Sequence, residues 1–227
     1  MSIVRGCFGN VNGFISYLWH TLLSRRYGKK QSTDELLQDD IGAIVDDNYY
    51  KRDILIVGKR MALSTSVEER INAVRDIGHI AWLGGPAVAR LAANHLIEFA
   101  RMLQDDEAPD AMKIQILYTI SEICMCSIDN QNTARSYGLL DTIYSLLESE
   151  IPLIRCGAVA CLVVLINENY ENHISVLRME NIVEKLIDLL QEDWSSWKRN
   201  EAKRLILMLG LNQSEDNVDD VDEFDRT

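Results

Sequence analysis

The chain has 227 residues, of which 47% are hydrophobic, and it carries a formal net charge of −12 at pH 7. This composition excludes a chain that is disordered throughout, because it supplies ample apolar material for a buried core. The low proline and glycine content, 3 and 12 residues, favours long helices over a turn-rich β architecture. The acidic balance argues against general nucleic-acid binding, which needs a broad basic face.

The charge is distributed unevenly along the chain. Residues 1–30 carry five basic side chains and no acidic one, whereas residues 212–227 carry seven acidic side chains and one arginine. We therefore expect a basic amphipathic segment at 1–30, a helical bridge at 31–66, a helical domain at 67–211 and an acidic disordered tail at 212–227. The tail lacks the residue spacing of a calcium-binding loop.

Apolar side chains from Val11 to Leu23 recur at helical spacing, which predicts an amphipathic helix. The helix is too short to span a bilayer, and no cleavage site follows that would indicate a signal peptide. It could cap the first repeat, dock on a partner, or lie on an anionic membrane surface, where Cys7 could add an acyl chain. Ser2 excludes N-myristoylation. The residues expected to contact the membrane are Phe14, Leu18, Trp19, Leu22, Arg25, Arg26, Lys29 and Lys30.

The bridge at 31–66 predicts two further helices. Ser32-Thr33-Asp34-Glu35 is typical of a helix start, and Asp46-Asp47-Asn48 is expected to end that helix. The second helix is expected from Asp53 to Leu63.

The clearest pattern is a stripe of three apolar residues at helical spacing, which occurs four times. Successive stripes begin 43, 42 and 44 residues apart, and a recurrence of about 40–47 residues in helical segments indicates an armadillo- or HEAT-type array. The stripes are Ala73/Ile77/Ile80, Ile116/Ile120/Ile123, Ala158/Leu162/Leu165 and Ala202/Ile206/Leu209. They predict long helices over Glu69–Leu83, Ala111–Ile128, Pro152–Asn167 and Trp194–Leu211.

Between the long helices the sequence cycles through a short helix, a glycine or asparagine corner, an LxxLL helix and a polar turn. This cycle resembles the armadillo repeat over about residues 67–211, with Gly138 at the family's interhelical glycine and Asn94 and Asn181 in its place elsewhere. The resemblance implies an all-α fold, a right-handed α-solenoid of about three armadillo-like repeats plus a partial N-terminal repeat. The whole chain resembles the small armadillo-like helical domain-containing proteins.

The residue types that catalysis needs do not cluster in the sequence. The four histidines are scattered, and Cys124 and Cys126 point to different sides of a helix, so neither set has metal-ligand spacing. No phosphate-binding loop and no serine nucleophile elbow is present. We therefore predict no enzyme, no metal and no cofactor. The five cysteines, Cys7, Cys124, Cys126, Cys156 and Cys161, are expected to be reduced and mostly buried in a cytoplasmic protein.

In armadillo-like solenoids the long helix of each repeat lines a concave groove that binds extended peptides, so the resemblance implies such a groove here. Its candidate contact residues are Asn72, Arg75, His79, Gln115, Tyr118, Glu122, Arg204 and Met208, with Gly157, Ala160 and Val164 in the middle. The Trp and Asn pair that importin-alpha-like repeats use to clamp a nuclear-localisation peptide is absent. Of the basic row that beta-catenin-like grooves use, only Arg75 and Arg204 remain.

Trp194 and Trp197 begin the last predicted helix on a shared face, either packing on Leu186 and Leu190 or left exposed as a docking anchor. The sequence thus predicts a cytoplasmic interaction scaffold that binds a protein or peptide and no nucleic acid. The alternative is a peripheral membrane adaptor held by residues 1–30.

Overall fold

The computed structural model describes residues 47–125, 127–191 and 201–211. The chain divides into two compact units, residues 1–46 and 47–227, and every described residue belongs to the second. The predictions for Cys7, Cys126, the N-terminal helix, the first half of the bridge, the two tryptophans and the acidic tail lie outside the described residues.

All regular secondary structure in the described part of the chain is helical, as predicted. Single 3₁₀ turns lie at Ala93–His95 and Leu146–Glu148. The α-helices are α1 (Asp47–Leu63), α2 (Val67–Leu83), α3 (Gly85–Ala92), α4 (Leu96–Gln104), α5 (Asp110–Cys124), α6 (Ile128–Ser136), α7 (Leu139–Ser145), α8 (Pro152–Ile166), α9 (Tyr170–Leu177), α10 (Ile182–Leu190) and α11 (Glu201–Met208).

Two short helices followed by a long one recur along the chain, as α3–α4–α5 and α6–α7–α8, and α9–α10–α11 follow in the same order. The long helices pack in succession, α2 against α5, α5 against α8, and α8 against α11. Helix α1 packs on α2 and α3. The stacking of the four striped helices is therefore as predicted, while the right-handed superhelix and the number of repeats stay predictions.

The predicted stripes supply the core of this array. Of their twelve residues, ten are buried, and only Ile80 and Ile206 are half-buried. The stripe on α11 differs from the prediction, because Leu205, rather than Ile206, is fully buried beside Ala202 and Leu209. Because Ala202 and Leu209 stay buried, this exchange turns the buried side of α11 by only about a third of the angle between successive residues, roughly 30°.

Helix α5 ends earlier than predicted, at Cys124 instead of Ile128. Met125 leaves the helix with φ −59° and ψ 128°, and the Ser127 side chain accepts a hydrogen bond from the backbone N–H of Asn130. Because serine is a strong N-cap, a new helix starts where the apolar run suggested a continuation.

Two of the three predicted corners have the left-handed backbone that the armadillo resemblance implies. Gly138 has φ 71° and Asn181 has φ 57°. Asn94 differs, since it lies in the 3₁₀ turn between α3 and α4 and is not among the residues with positive φ. The first corner is therefore made by a tightened helical turn.

A polar pair repeats at the start of α6 and of α9, and all of its residues are buried except the half-buried His173. The Asn130 side chain donates to the Ile123 carbonyl at 2.8 Å and Gln131 donates to the Val164 carbonyl at 3.0 Å. Forty-two residues on, Asn172 donates to the Leu165 carbonyl at 2.8 Å, and a His173 ring nitrogen lies 3.1 Å from the Met208 carbonyl. Each pair bridges the ends of two successive long helices and satisfies carbonyls that a helix end leaves without an intrahelical partner. We call these residues the carbonyl bridges.

Candidate functional site

Each long helix in the middle of the stack uses three sides for packing, which leaves one side open. On α5, Ile116 and Ile120 face the core, Thr119 and Glu122 approach Gly78 of α2, and Leu117 approaches Gly157 of α8. The remaining side carries Ile114 and Tyr118, both half-buried. The open sides of α2, α5, α8 and α11 form one surface, the long-helix face. Its residues are Asn72, Arg75, His79, Ile114, Gln115, Tyr118, Leu153, Ala160, Lys203 and Leu207.

The α2 part of the long-helix face is polar and basic. Asn72, Arg75 and His79 lie on the side of α2 opposite the buried Ile77, and each is half-buried. The Arg75 guanidinium donates a hydrogen bond to the Asn72 side-chain oxygen, which fixes the direction of the arginine. The structure thus brings together all three residues that the sequence predicted on this helix.

On α5 the structure keeps two of the three predicted residues on this face. Gln115 and Tyr118 are half-buried. Burial, and secondarily the nearby Cys156 thiol, raises the pKa of Tyr118 to about 12, so its hydroxyl is a neutral hydrogen-bonding group at physiological pH.

Glu122 does not line the long-helix face. It is only 4% exposed, and its Oε2 lies against Gly78 in a space that any side chain at position 78 would fill. Burial raises the pKa of this carboxyl well above its usual range, and Oε2 has no hydrogen-bond partner in the described part of the chain. Glu122 belongs to the α2–α5 packing, so we remove it from the candidate site.

The middle of the long-helix face is apolar and built from small residues. Gly157 and Val164 are buried. Leu117 packs closely on Gly157, since a Cβ at position 157 would lie 3.1 Å from Cδ1 of Leu117. Ala160 is half-buried and Leu153 is exposed. No acidic residue occurs anywhere in α8.

On α11, Lys203 and Leu207 are exposed, and the predicted Arg204 and Met208 are half-buried, as Asn72, Arg75 and His79 are on α2. Arg204 lies 3.7 Å from the carboxylate of the buried Glu201. The basic residues at this end are therefore the exposed Lys203 and the half-buried Arg204.

The three cysteines in the described part of the chain show no sign of reactive chemistry. Cys124, Cys156 and Cys161 are buried, as predicted. Burial raises the pKa of the Cys124 thiol well above its usual range, and burial raises the pKa of the Cys161 thiol to about 12. A thiol with a raised pKa is a poor nucleophile. Among the described residues, no group of three or more His, Cys, Asp or Glu side chains could hold a metal ion.

The described part of the chain has only helices as regular structure, successive long helices, left-handed corners and a 42-residue repeat of polar contacts, which together define an armadillo-like helical domain. The family model of Armadillo-like helical domain-containing protein 2 matches residues 29–213, and the chain belongs to this family. The predicted resemblance is thereby confirmed, and armadillo-like helical domains are a protein-interaction type of fold that is generally not catalytic. The chain has no significant match among curated proteins or solved structures.

The predicted membrane-contact residues, from Phe14 to Lys30, lie outside the described part of the chain. Within that part, none of the helices combines the length and the apolar character that crossing a membrane requires.

Proposed function

We propose that the chain is a non-catalytic cytoplasmic scaffold that binds an extended segment of a protein partner along the long-helix face. The observation that carries this proposal is the order of side chains on that face. Arg75 and His79 stand at one end, Lys203 stands at the other, and Ala160 and Leu153 lie between them. Such an order fits a segment with apolar residues in its middle and acidic residues towards its ends.

The length of the face sets the length of the segment. Three steps between long helices, at about 8–10 Å each, span roughly 30 Å. An extended chain covers this distance with about nine residues. The partner contact is therefore a short linear motif of mixed apolar and acidic composition.

Selection from a library of random peptides displayed on phage tests this proposal. We expect peptides with an acidic and apolar pattern to be enriched on the full chain. Their binding should weaken at least about tenfold on Arg75→Glu with Lys203→Glu, because both changes replace an attraction by a repulsion. Arg101→Glu with Arg178→Glu is the matched control, since both arginines are exposed and lie off the long-helix face. Peptides that bind both double variants equally well would contradict the proposal.

A second function, peripheral membrane attachment, is proposed on the sequence of residues 1–30. The amphipathic pattern from Val11 to Leu23 and the basic residues after it suit an anionic lipid surface. Co-sedimentation of the full chain with phosphatidylserine vesicles tests it. Trp19→Asp should abolish binding and Trp82→Asp, outside this segment, should not. No difference between the variants would contradict attachment through this segment.

A further inference from the structure

We infer that residues 212–227 bind the long-helix face of their own chain and compete there with the partner segment. This inference rests on the proposed function, because it assigns the same face a second, built-in ligand. Three properties of the described residues and of the tail sequence support it. They are the reach of the tail, the spacing of its apolar residues and its charge.

The tail leaves the described array next to the face that it would occupy. Helix α11 carries Lys203 and Leu207 of that face and ends at Met208, and Gly210 turns the chain with φ 71°. From Leu211 to Phe224 there are 13 residues, which reach up to about 45 Å when extended. The roughly 30 Å from α11 to α2 lies within that reach.

The apolar residues of the tail recur with the spacing of the helices. Val218, Val221 and Phe224 occupy every third position. An extended polyproline II segment has three residues per turn and rises about 3.1 Å per residue, so these side chains point the same way about 9 Å apart. Packed helices lie about 8–10 Å apart. One apolar tail residue therefore meets each long helix, and Val218, Val221 and Phe224 fall opposite α8, α5 and α2 in that order.

The charges of the two surfaces are complementary. Between and after the three apolar residues the tail carries Asp219, Asp220, Asp222, Glu223 and Asp225. The long-helix face offers Arg75 on α2, with the polar His79 beside it, and Lys203 on α11, and the α8 segment between them has no acidic residue to repel the tail. The tail thus has the mixed apolar and acidic composition that we propose for the partner, with acidic residues also between its apolar residues.

A second surface of suitable chemistry lies on α1, where exposed Leu55, Ile56 and Leu63 flank the exposed Arg52 and Lys59. Four helix steps, about 32–40 Å, separate α11 from α1. Val218 is seven residues from Leu211 and reaches only about 25 Å, so the three apolar residues of the tail cannot all lie on α1 of the same chain. The limited reach of the tail therefore favours the long-helix face over α1.

Photo-crosslinking in the full chain tests where the tail binds. Phe224 is replaced by p-benzoylphenylalanine, the purified protein is irradiated, and the crosslinked residues are mapped by mass spectrometry. We expect crosslinks within one chain to α2 near His79, and their loss in Arg75→Glu with Lys203→Glu but not in Arg101→Glu with Arg178→Glu. Crosslinks to α1, to α4, α7 or α10, or between chains, or no crosslinks at all, would overturn the inference.

Competition is measured with a peptide selected on the long-helix face. The tail is neutralised in the full chain by Asp219→Asn, Asp220→Asn, Asp222→Asn and Glu223→Gln. A tethered ligand acts at an effective concentration of order 1 mM, so a tail with a Kd of about 0.1 mM weakens the apparent affinity of the peptide about tenfold. We expect neutralisation of the tail to raise the apparent affinity of the peptide by about the same tenfold factor.

The two proposals fail in different ways. Equal affinity for the selected peptide with and without neutralisation would overturn competition by the tail and leave the partner-binding function standing. Absence of any peptide sensitive to Arg75→Glu with Lys203→Glu, even on the neutralised chain, would overturn the function itself and with it this inference.

Discussion

The α2–α5 and α5–α8 interfaces join the same kind of long helix with different chemistry. Between α2 and α5, Gly78 makes room for a carboxyl group, that of Glu122, and the Thr119 hydroxyl donates to the Val74 carbonyl at 2.9 Å. Between α5 and α8, Gly157 makes room for Leu117. The same device, a glycine that admits a side chain from the next helix, thus serves a polar contact in one place and an apolar contact in the other.

The carbonyl bridges are a second difference between the α2–α5 and α5–α8 interfaces. Asn130 and Gln131 tie α5 to α8, whereas Val88 and Ala89 occupy the corresponding positions 42 residues earlier and bear no polar group. The α2–α5 interface therefore contains a buried acid whose pKa is raised, while the α5–α8 interface depends on apolar packing and on side-chain hydrogen bonds to carbonyls at the helix ends. We expect the first interface to be sensitive to pH and the second to be sensitive to cavities.

The largest effect should come from a cavity in α8. Leu162→Ala empties a fully buried site and should lower the free energy of unfolding by about 2–5 kcal/mol. Urea denaturation of the full chain measures it. A change below about 0.5 kcal/mol, typical of surface positions, would place Leu162 outside the core.

Removal of a carbonyl bridge should lower the free energy of unfolding somewhat less than the cavity in α8 does. Asn172→Ala leaves the buried Leu165 carbonyl without its side-chain donor, which should cost about 1–3 kcal/mol. The control is Asn94→Ala, which alters an exposed asparagine and should stay within about 0.5 kcal/mol. Equal effects of the two substitutions would show that the bridge contributes nothing specific.

Glu122 should make the stability depend on pH. Its folded pKa is raised well above the ordinary value of 4.5, so the folded state binds a proton that the unfolded state releases. The contribution of Glu122 to the free energy of unfolding is therefore fully present below about pH 4.5 and is lost as the pH rises through the folded pKa. Between the unfolded and the folded pKa the loss is about 1.4 kcal/mol per pH unit.

Glu122→Gln should remove this dependence. Denaturation of the two proteins at a series of pH values from 5 to 8 measures the difference. The free energy of unfolding of the variant, relative to that of the parent chain, should increase at each higher pH. Parallel pH profiles would mean that Glu122 is ionised in the folded state, which would contradict its burial against Gly78.

The smallest effect should come from Thr119→Val, which removes the hydroxyl that donates to the Val74 carbonyl. The expected loss is about 0.5–1.5 kcal/mol, the net value of one intramolecular hydrogen bond. Thr133→Val, which removes a hydroxyl that donates to the Asp129 carbonyl within its own helix, is the matched control and should cost less. A larger loss from Thr133→Val would contradict the role of Thr119 in joining α2 to α5.

The repeat spacing and the long helices could be predicted from the sequence because a buried stripe needs the same small or large apolar residue at each helical turn. The register of α11 could not, since the run Leu205-Ile206-Leu207-Met208-Leu209 offers several equivalent stripes and a glutamate at 201 argues against burial there. Periodicity alone does not choose between them.

Glu122 was misplaced for a related reason. An acidic residue beside Tyr118 is expected on the surface, and only the absence of a side chain at Gly78, 44 residues away, admits it to the interior. The carbonyl bridges were detectable in principle, because Asn130 and Asn172 share the spacing of the stripes. In a single sequence, however, polar residues at these positions indicate only the start of a helix, because their function in joining helices depends on tertiary contacts.

The long-helix face is tested most directly by the affinity of a selected peptide, measured by fluorescence anisotropy on the chain with the neutralised tail. Arg75→Glu with Lys203→Glu should weaken binding at least about tenfold, and Arg101→Glu with Arg178→Glu should change it less than about twofold. Equal affinities for the two double variants would contradict the account, because they would place the peptide away from α2 and α11.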